Sequence, residues 1–168
     1  MPHLSDPFLR LWFKVVAPHR GILQTASKAV RVTWLDRNWS QLRAQAWEEL
    51  CRMALPHVGL LNHEWQPAGR YWTANQNEWD IVCTSLDNDI LLLGECKSLS
   101  RSATKTDIEK TIRVLMTKTI PDSIGNRRRQ HEYVIFVPSL DKDPGPLPEN
   151  IHVLDGQRVF DALKSTRE

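Results

Sequence analysis

Apolar side chains recur at helical spacing in two stretches of the first third of the chain. Residues 6–16 predict a helix that begins at Asp6-Pro7 and ends at Pro18, with a connector over residues 19–25. Residues 38–55 predict a longer helix that a proline ends. Its apolar stripe consists of Leu42, Ala46, Trp47, Leu50, Cys51 and Ala54.

The middle of the chain has the pattern of β-strands. Residues 59–73 mix aromatic and turn residues and predict one or two short strands. Two more apolar stretches follow, residues 78–86 and 89–98, separated by Asp87-Asn88. Because Asp and Asn favour tight turns, the two stretches predict a β-hairpin.

The last third alternates helix and strand. Apolar residues at helical spacing predict a helix over 105–119 and a final helix over 157–163. Apolar runs predict strands over 132–137 and 151–154, and the proline-rich residues between them predict a surface loop. The core order is therefore α-β-β-β-α-β, with a further strand and helix.

Composition narrows the class of protein without naming a function. The 168 residues suffice for one domain with a core and a short appendage. No apolar run approaches the length of a membrane span, and the N-terminus lacks a signal-peptide pattern, so we expect a cytoplasmic protein without membrane contact. Cys51, Cys83 and Cys96 are widely spaced and predict buried thiols rather than disulfides or a zinc site. The net charge of +2 neither demands nor excludes nucleic acid.

The predicted hairpin brings three ionisable residues together. With the turn at Asp87-Asn88, a symmetrical register places Asp80 opposite Glu95, and opposed residues hold their Cβ atoms about 4.5–5.5 Å apart. Glu95 and Lys97 share a face because side chains alternate along a strand, whereas Cys96 points away. A slip of one residue would separate the three groups.

Two carboxylates so close predict a divalent cation between them. Asp80, Glu95 and the backbone carbonyl of Cys96 are the oxygen ligands that Mg²⁺ (or Mn²⁺) accepts, and Lys97 would assist a water nucleophile or a charged phosphate. A Glu-x-Lys on an exposed strand is more often a solvated face. Here, however, Glu95 ends the apolar run ILLLG, and Asp80 stands between Trp79 and IVC.

Asp80 with Glu95-Cys96-Lys97 resembles the motif of the PD-(D/E)XK nuclease superfamily. The resemblance implies a restriction-endonuclease-like α/β core with a mixed central sheet flanked by helices, and a Mg²⁺-dependent DNA endonuclease. It also implies an acidic residue on the first core helix, where Glu48 matches and Glu49 is the alternative.

One branch is more similar still, the nuclease-like C-terminal domain of unknown function found in archaeal-type AAA ATPases. The matching segments are DPFLRLWF at 6–13, WE at 47–48, EWDIV at 78–82 and GECK at 94–97. The chain contains no Walker A loop, so an AAA-type ATPase would be a partner or part of a longer chain. The resemblance implies an N-terminal helical segment over 1–37, packing on the core or on a partner, and a nuclease-like domain over 38–168.

Several basic residues are candidates for DNA phosphate contacts, with a solvated surface as the alternative for each. They are Arg101, Lys105, Lys118, Arg127, Arg128 and Arg129. Of these, Lys118 stands where related nucleases carry a residue that faces the site. Three functions follow: a homodimeric DNA endonuclease, a catalytically silent module that docks DNA or an AAA ATPase, and a nuclease of RNA or branched DNA.

Overall fold

The computed structural model of the protein describes residues 7–72, 78–124 and 129–165. The chain forms two units, Met1–Ala46 and Trp47–Glu168, and the division falls within a helix. In the described residues, no helix is both long and apolar enough to traverse a bilayer.

The first unit is helical. Helix α1 (Pro7–Leu11) continues through a π-helical turn (Trp12–Val16) and a 3-10 turn (Ala17–His19) into α2 (Arg20–Thr25). The prediction that Pro18 ends the helix and that residues 19–25 form a connector is therefore wrong. Pro18 occupies the start of the 3-10 turn, where its missing N–H breaks no helical hydrogen bond. Asp6, the predicted start, lies outside the described residues.

Helix α3 (Lys28–Ala54) begins well before the predicted start at Asn38. Its first turn follows Ser27, whose hydroxyl accepts a hydrogen bond from Val30 N at 3.4 Å, as an N-cap does. Val32, Leu35 and Trp39 extend the apolar stripe toward the helix start at helical spacing, although their side chains are exposed, and the prediction did not include them. Residues 37 and 38, between which the sequence placed the domain boundary, both lie inside this helix.

The second unit contains five strands, β1 (Gly69–Tyr71), β2 (Trp79–Thr84), β3 (Ile90–Cys96), β4 (Gln130–Phe136) and β5 (Ile151–Leu154), and the helices α4 (Lys105–Thr117) and α5 (Gly156–Ser165). Two short 3-10 turns, Leu55–His57 and Leu60–Asn62, follow α3. The strands form one mixed sheet of order β1-β2-β3-β4-β5, in which β1/β2 and β2/β3 are antiparallel and β3/β4 and β4/β5 are parallel. The predicted α/β class with a mixed sheet and helices is thus confirmed.

Strand β3 is buried along its whole length, because apolar clusters cover both faces of the sheet. Leu92 and Cys96 pack on one face with the end of α3 and with α5. Leu91 and Leu93 pack on the other face with α4. This two-sided burial explains the unbroken apolar run of β3, which lacks the alternation of a strand with one wet face.

The structure confirms the predicted hairpin and its register. Four residue pairs, from Ile81 opposite Gly94 to Thr84 opposite Leu91, follow the register that the sequence indicates. Ser85 N donates to Ile90 O at 3.1 Å, and Asn88 in the turn has φ 65°, a left-handed conformation that Asn tolerates well.

Candidate active site

Asp80 and Glu95 lie at the ends of β2 and β3 that are remote from the hairpin turn. The paired ladder of the two strands ends one step earlier, at Ile81 opposite Gly94, so Asp80 and Glu95 are the next residues along it. The two strands are also joined here by a side chain, because Asp80 Oδ2 accepts a hydrogen bond from Cys96 N at 2.9 Å. The Asp80 carboxylate therefore binds the main chain directly between Glu95 and Lys97.

A β-bulge surrounds Asp80. Between β1 and β2, Gly69 pairs with Val82 and Tyr71 with Trp79, so β2 has one residue more than β1 over this stretch. Trp79 packs in the core on the α4 face, whereas Ile81 packs on the opposite face, so the alternation of side chains changes at Asp80. Bulges commonly re-aim a side chain beside a functional site.

Glu95 is held by two lysines. Its side chain is only 8% exposed, and Lys97 Nζ donates to Oε2 at 2.6 Å. Lys118, directly after α4, donates to Oε1 and to the carbonyl of Glu78, and its Nζ lies 4.9 Å from the ring centroid of Trp79. The sequence predicted a metal cation between two carboxylates, and in the structure two lysine ammonium groups lie beside Glu95.

Helix α3 contributes a third acidic residue, Glu48, and an arginine, Arg52, that contacts the main chain of β2. Arg52 Nη1 donates to the main-chain carbonyl of Asp80 at 2.9 Å and lies 3.7 Å from the Glu48 carboxylate, one helical turn away. Sequence reasoning missed Arg52, although its i+4 spacing from Glu48 on the stripe-bearing helix was a usable signal. Glu48 is thus linked through Arg52 to the main chain of Asp80.

The Asp80 and Glu48 carboxyls are both costly to ionise where they lie. Burial raises the pKa of Asp80, the Cys96 hydrogen bond opposes that rise, and the charge of Glu95 adds to it. Burial also raises the pKa of Glu48, and the charge of Asp80 raises it further, against the opposing effect of Arg52. Additional positive charge near Asp80 and Glu48 would therefore be favourable.

The thiols are buried, as predicted, and all three are free. The neighbouring Cys51 thiol and burial together raise the pKa of Cys96 well above its ordinary 9.0. Burial raises the pKa of Cys83 to about 12. Protonated, enclosed thiols are poor nucleophiles and poor metal ligands, so the chemistry of the site rests on oxygen and nitrogen groups.

The donor set suits a hard divalent cation only in part. Within residues 7–72, 78–124 and 129–165, no three His, Cys, Asp or Glu side chains are arranged to hold a metal. Asp80, Glu48 and the Cys96 carbonyl are oxygen donors of the kind that Mg²⁺ prefers. Both oxygens of Glu95, however, accept from lysines, so Glu95 would join a metal only by exchanging a lysine contact.

The other predicted basic residues have different surroundings. Arg101 forms a two-pronged ion pair with Asp107, which forms the capping box of α4 with the N-cap residue Thr104, and Lys105 is exposed in the first turn of that helix. Arg129 donates to Asn88 O at 3.0 Å in the hairpin turn, roughly 20 Å along β3 from Glu95. The structure therefore brings Lys118 to the site and leaves Arg129 remote from it. Arg127 and Arg128 lie outside the described residues.

No curated protein and no solved structure matches the chain. The family comparison does give a match, and it includes Glu48, Asp80, Glu95 and Lys97. The chain belongs to the DUF234 family, described as archaea bacterial proteins of unknown function, whose model matches residues 12–110.

Proposed function

We propose that this chain is a divalent-metal-dependent nuclease that hydrolyses phosphodiester bonds of DNA. The observation that carries the proposal is the meeting of Asp80, Glu95 and Lys97 at adjacent ends of two antiparallel strands, with Lys97 Nζ 2.6 Å from Glu95. Perturbed, partly buried acids beside a lysine are more typical of a reactive site than of a structural surface.

The order of elements supports a restriction-endonuclease-like core. Helix α3 precedes three antiparallel strands, and α4 then connects β3 to the parallel strand β4. Glu95 and Cys96 end the central strand and Lys97 follows it, and Glu48 of the preceding helix is linked to the end of β2 through Arg52. This arrangement matches the one that the sequence resemblance implies.

Mg²⁺ or Mn²⁺ would be held by Asp80, Glu95, Glu48 and the carbonyl of Cys96. The N–H and C=O of one strand residue point to the same edge, so the Cys96 carbonyl faces the side on which its N–H meets Asp80. When bound, such an ion acts as a Lewis acid and lowers the pKa of a coordinated water.

The two lysines have separate tasks in this proposal. Lys97 is 35% exposed and is the one that can reach a substrate, where its ammonium would donate to the attacking water or to a phosphate oxygen. Lys118 is 12% exposed and fixed by Glu95 and the Glu78 carbonyl. It positions Glu95 and keeps the buried carboxylate neutralised.

A second candidate is a catalytically silent module that docks DNA or an AAA-type ATPase. The observation in its favour is that Lys97 and Lys118 already satisfy Glu95 without a metal. Under the nuclease proposal, cutting both strands of a duplex would require two sites, which a homodimer supplies. The silent module carries no such requirement.

Incubation with nucleic acids separates these candidates. Supercoiled plasmid, single-stranded DNA and RNA are each incubated with Mg²⁺, Mn²⁺ or EDTA and with wild type, Asp80→Asn or Lys97→Met. Asp89→Asn and Lys164→Met are matched controls, because these side chains are exposed and lie outside the site. Metal-dependent cutting that only the two site variants lose supports the nuclease. Binding without cutting by any form favours the silent module, and cutting that survives both site variants refutes the assignment of residues.

A further inference from the structure

A cavity of about 280 Å³ opens beside Lys97, between α4 and the sheet. Lys97 is one of its lining residues, so the cavity begins where the proposed reaction takes place. Its volume is at the lower end of the range for small-molecule sites. The cavity therefore suits one compact chemical group that is part of the ligand bound at Lys97.

Half of the lining side chains are apolar, and the others are two lysines, the Asp107 carboxylate and the Thr111 hydroxyl. Leu99, Ile108, Val114 and Val137 form the walls, and Lys110 stands on the rim with Lys97. The two polar lining side chains have intramolecular partners. The Thr111 hydroxyl donates to Asp107 O at 2.9 Å, and the Asp107 carboxylate is bound by Arg101 and Thr104.

This combination selects a particular kind of ligand. Aliphatic walls favour a flat apolar group through dispersion and desolvation, and the lysines favour an anion attached to it. A nucleotide has both parts, a base and a phosphate. If the phosphate lies at Lys97, the nucleoside bonded to it is the group within reach of the cavity.

We propose that the cavity holds the nucleobase next to the scissile phosphate, an inference that rests on the proposed nuclease function. A base in this cavity cannot remain stacked in a duplex, so the substrate class is single-stranded or frayed nucleic acid. Because Asp107 and Thr111 are engaged within the protein, the walls offer little with which to read base edges. The cavity therefore accepts any base with similar affinity.

Methyl NMR tests this proposal without requiring catalysis. The full chain, with ¹³C-labelled Ile, Leu and Val methyl groups, is titrated in EDTA with thymidine 5′-monophosphate, thymidine or inorganic phosphate. The monophosphate is expected to shift the methyl signals of Leu99, Ile108, Val114 and Val137. Thymidine should bind at least about ten-fold more weakly, and phosphate should leave these methyl groups unshifted.

Two matched variants locate the binding. Val114 is 43% exposed on the cavity rim, so Val114→Trp fills the opening with little disturbance to the core. It should weaken monophosphate binding at least about ten-fold. Met116, 49% exposed on the same helix and outside the cavity lining, provides the control Met116→Trp, which should bind as wild type does.

The outcomes distinguish this inference from the proposed function. Monophosphate shifts confined to other methyl groups, or no shifts, overturn the cavity proposal even if the protein cuts DNA. Equal weakening by both tryptophan variants overturns it as well. Shifts at the cavity methyl groups that Val114→Trp removes support the cavity as a nucleotide site, even if the cleavage assays show no nuclease.

Discussion

Glu95→Gln removes the negative charge that Lys97 and Lys118 both contact. Lys118 then remains in a nearly enclosed position without a counter-charge, since its side chain is 12% exposed and that of Glu95 is 8% exposed. We expect a large loss of stability from this change, although a glutamine fills the same volume. The loss arises mainly from the stranded ammonium rather than from packing.

The magnitude follows from the burial of the pair. Breaking a fully buried ion pair by removing one partner costs about 3–5 kcal/mol. Lys118 keeps the Glu78 carbonyl and the Trp79 ring as partners, so we expect about 2–3 kcal/mol for Glu95→Gln. Lys118→Met leaves Glu95 with Lys97 and should cost only about 1–2 kcal/mol.

A double-mutant cycle measures the coupling between the two residues. Urea unfolding of wild type, both single variants and the double variant should give a coupling free energy of about 1.5–2.5 kcal/mol, because the second substitution relieves the charge that the first one strands. The same cycle between Glu95 and the remote Lys164 is the control and should give nearly additive changes. Additive changes for Glu95 and Lys118 would refute the buried ion pair.

Three further predictions concern the supports of the site. Asp80→Asn should be more stable than wild type near neutral pH and similar to it near pH 3. The reason is that the pKa of Asp80 is higher in the folded state than its ordinary 3.8, so wild type loses stability as pH rises from the ordinary pKa to the folded-state pKa. Gly94→Ala should lower the free energy of unfolding by about 1–3 kcal/mol or more, because the new Cβ would meet Val134 Cγ1 at 2.6 Å and Val134 O at 2.7 Å. Arg52→Met should lower it by about 1–2 kcal/mol, since the Asp80 carbonyl loses its donor. Urea unfolding measures all three.

Each of these predictions has a control elsewhere in the second unit. Asp89→Asn, which changes an exposed carboxyl outside the site, is the control for Asp80→Asn, and Gly69→Ala should be mild because only one atom would lie within 4 Å of its Cβ, at 3.9 Å. Arg158→Met removes an exposed arginine of α5 and should change little. A constant offset between Asp80→Asn and wild type at every pH would contradict the raised pKa. Equal losses of unfolding free energy for the two glycine variants would contradict the close approach of Gly94 to Val134. Equal losses for the two arginine variants would contradict the hydrogen bond from Arg52 to the Asp80 carbonyl.

The hairpin was predictable because local chemistry determines it. Asp87-Asn88 set the turn, and the apolar run of β3 set the strand, so the register of Ile81 opposite Gly94 followed without tertiary information. Most later elements were predicted from their apolar periodicity, which reflects burial against the sheet. The coarse fold class followed from their order.

Other features depend on contacts that sequence spacing does not encode. The bulge at Asp80 appears only in the unequal pairing of β1 and β2, and the hydrogen bond from Cys96 N to the Asp80 carboxylate appears only in the folded chain. Lys118 was a candidate from the resemblance, but its contact with Glu95 depends on where α4 ends beside the sheet. The early start of α3, by contrast, was missed although a serine cap and apolar residues at helical spacing both mark it.

The proposal that Asp80 and Glu95 form a metal-dependent active site can be tested by measuring divalent-cation binding, because the proposed reaction needs a bound cation. Mn²⁺ is titrated into wild type, Asp80→Asn and Asp89→Asn, and free Mn²⁺ is measured by electron paramagnetic resonance. We expect a specific Mn²⁺ site in wild type and in Asp89→Asn, with affinity lowered at least about ten-fold in Asp80→Asn. Equal Mn²⁺ affinity in all three proteins, or no binding by wild type, would contradict the claim that Asp80 and Glu95 form a metal-dependent active site.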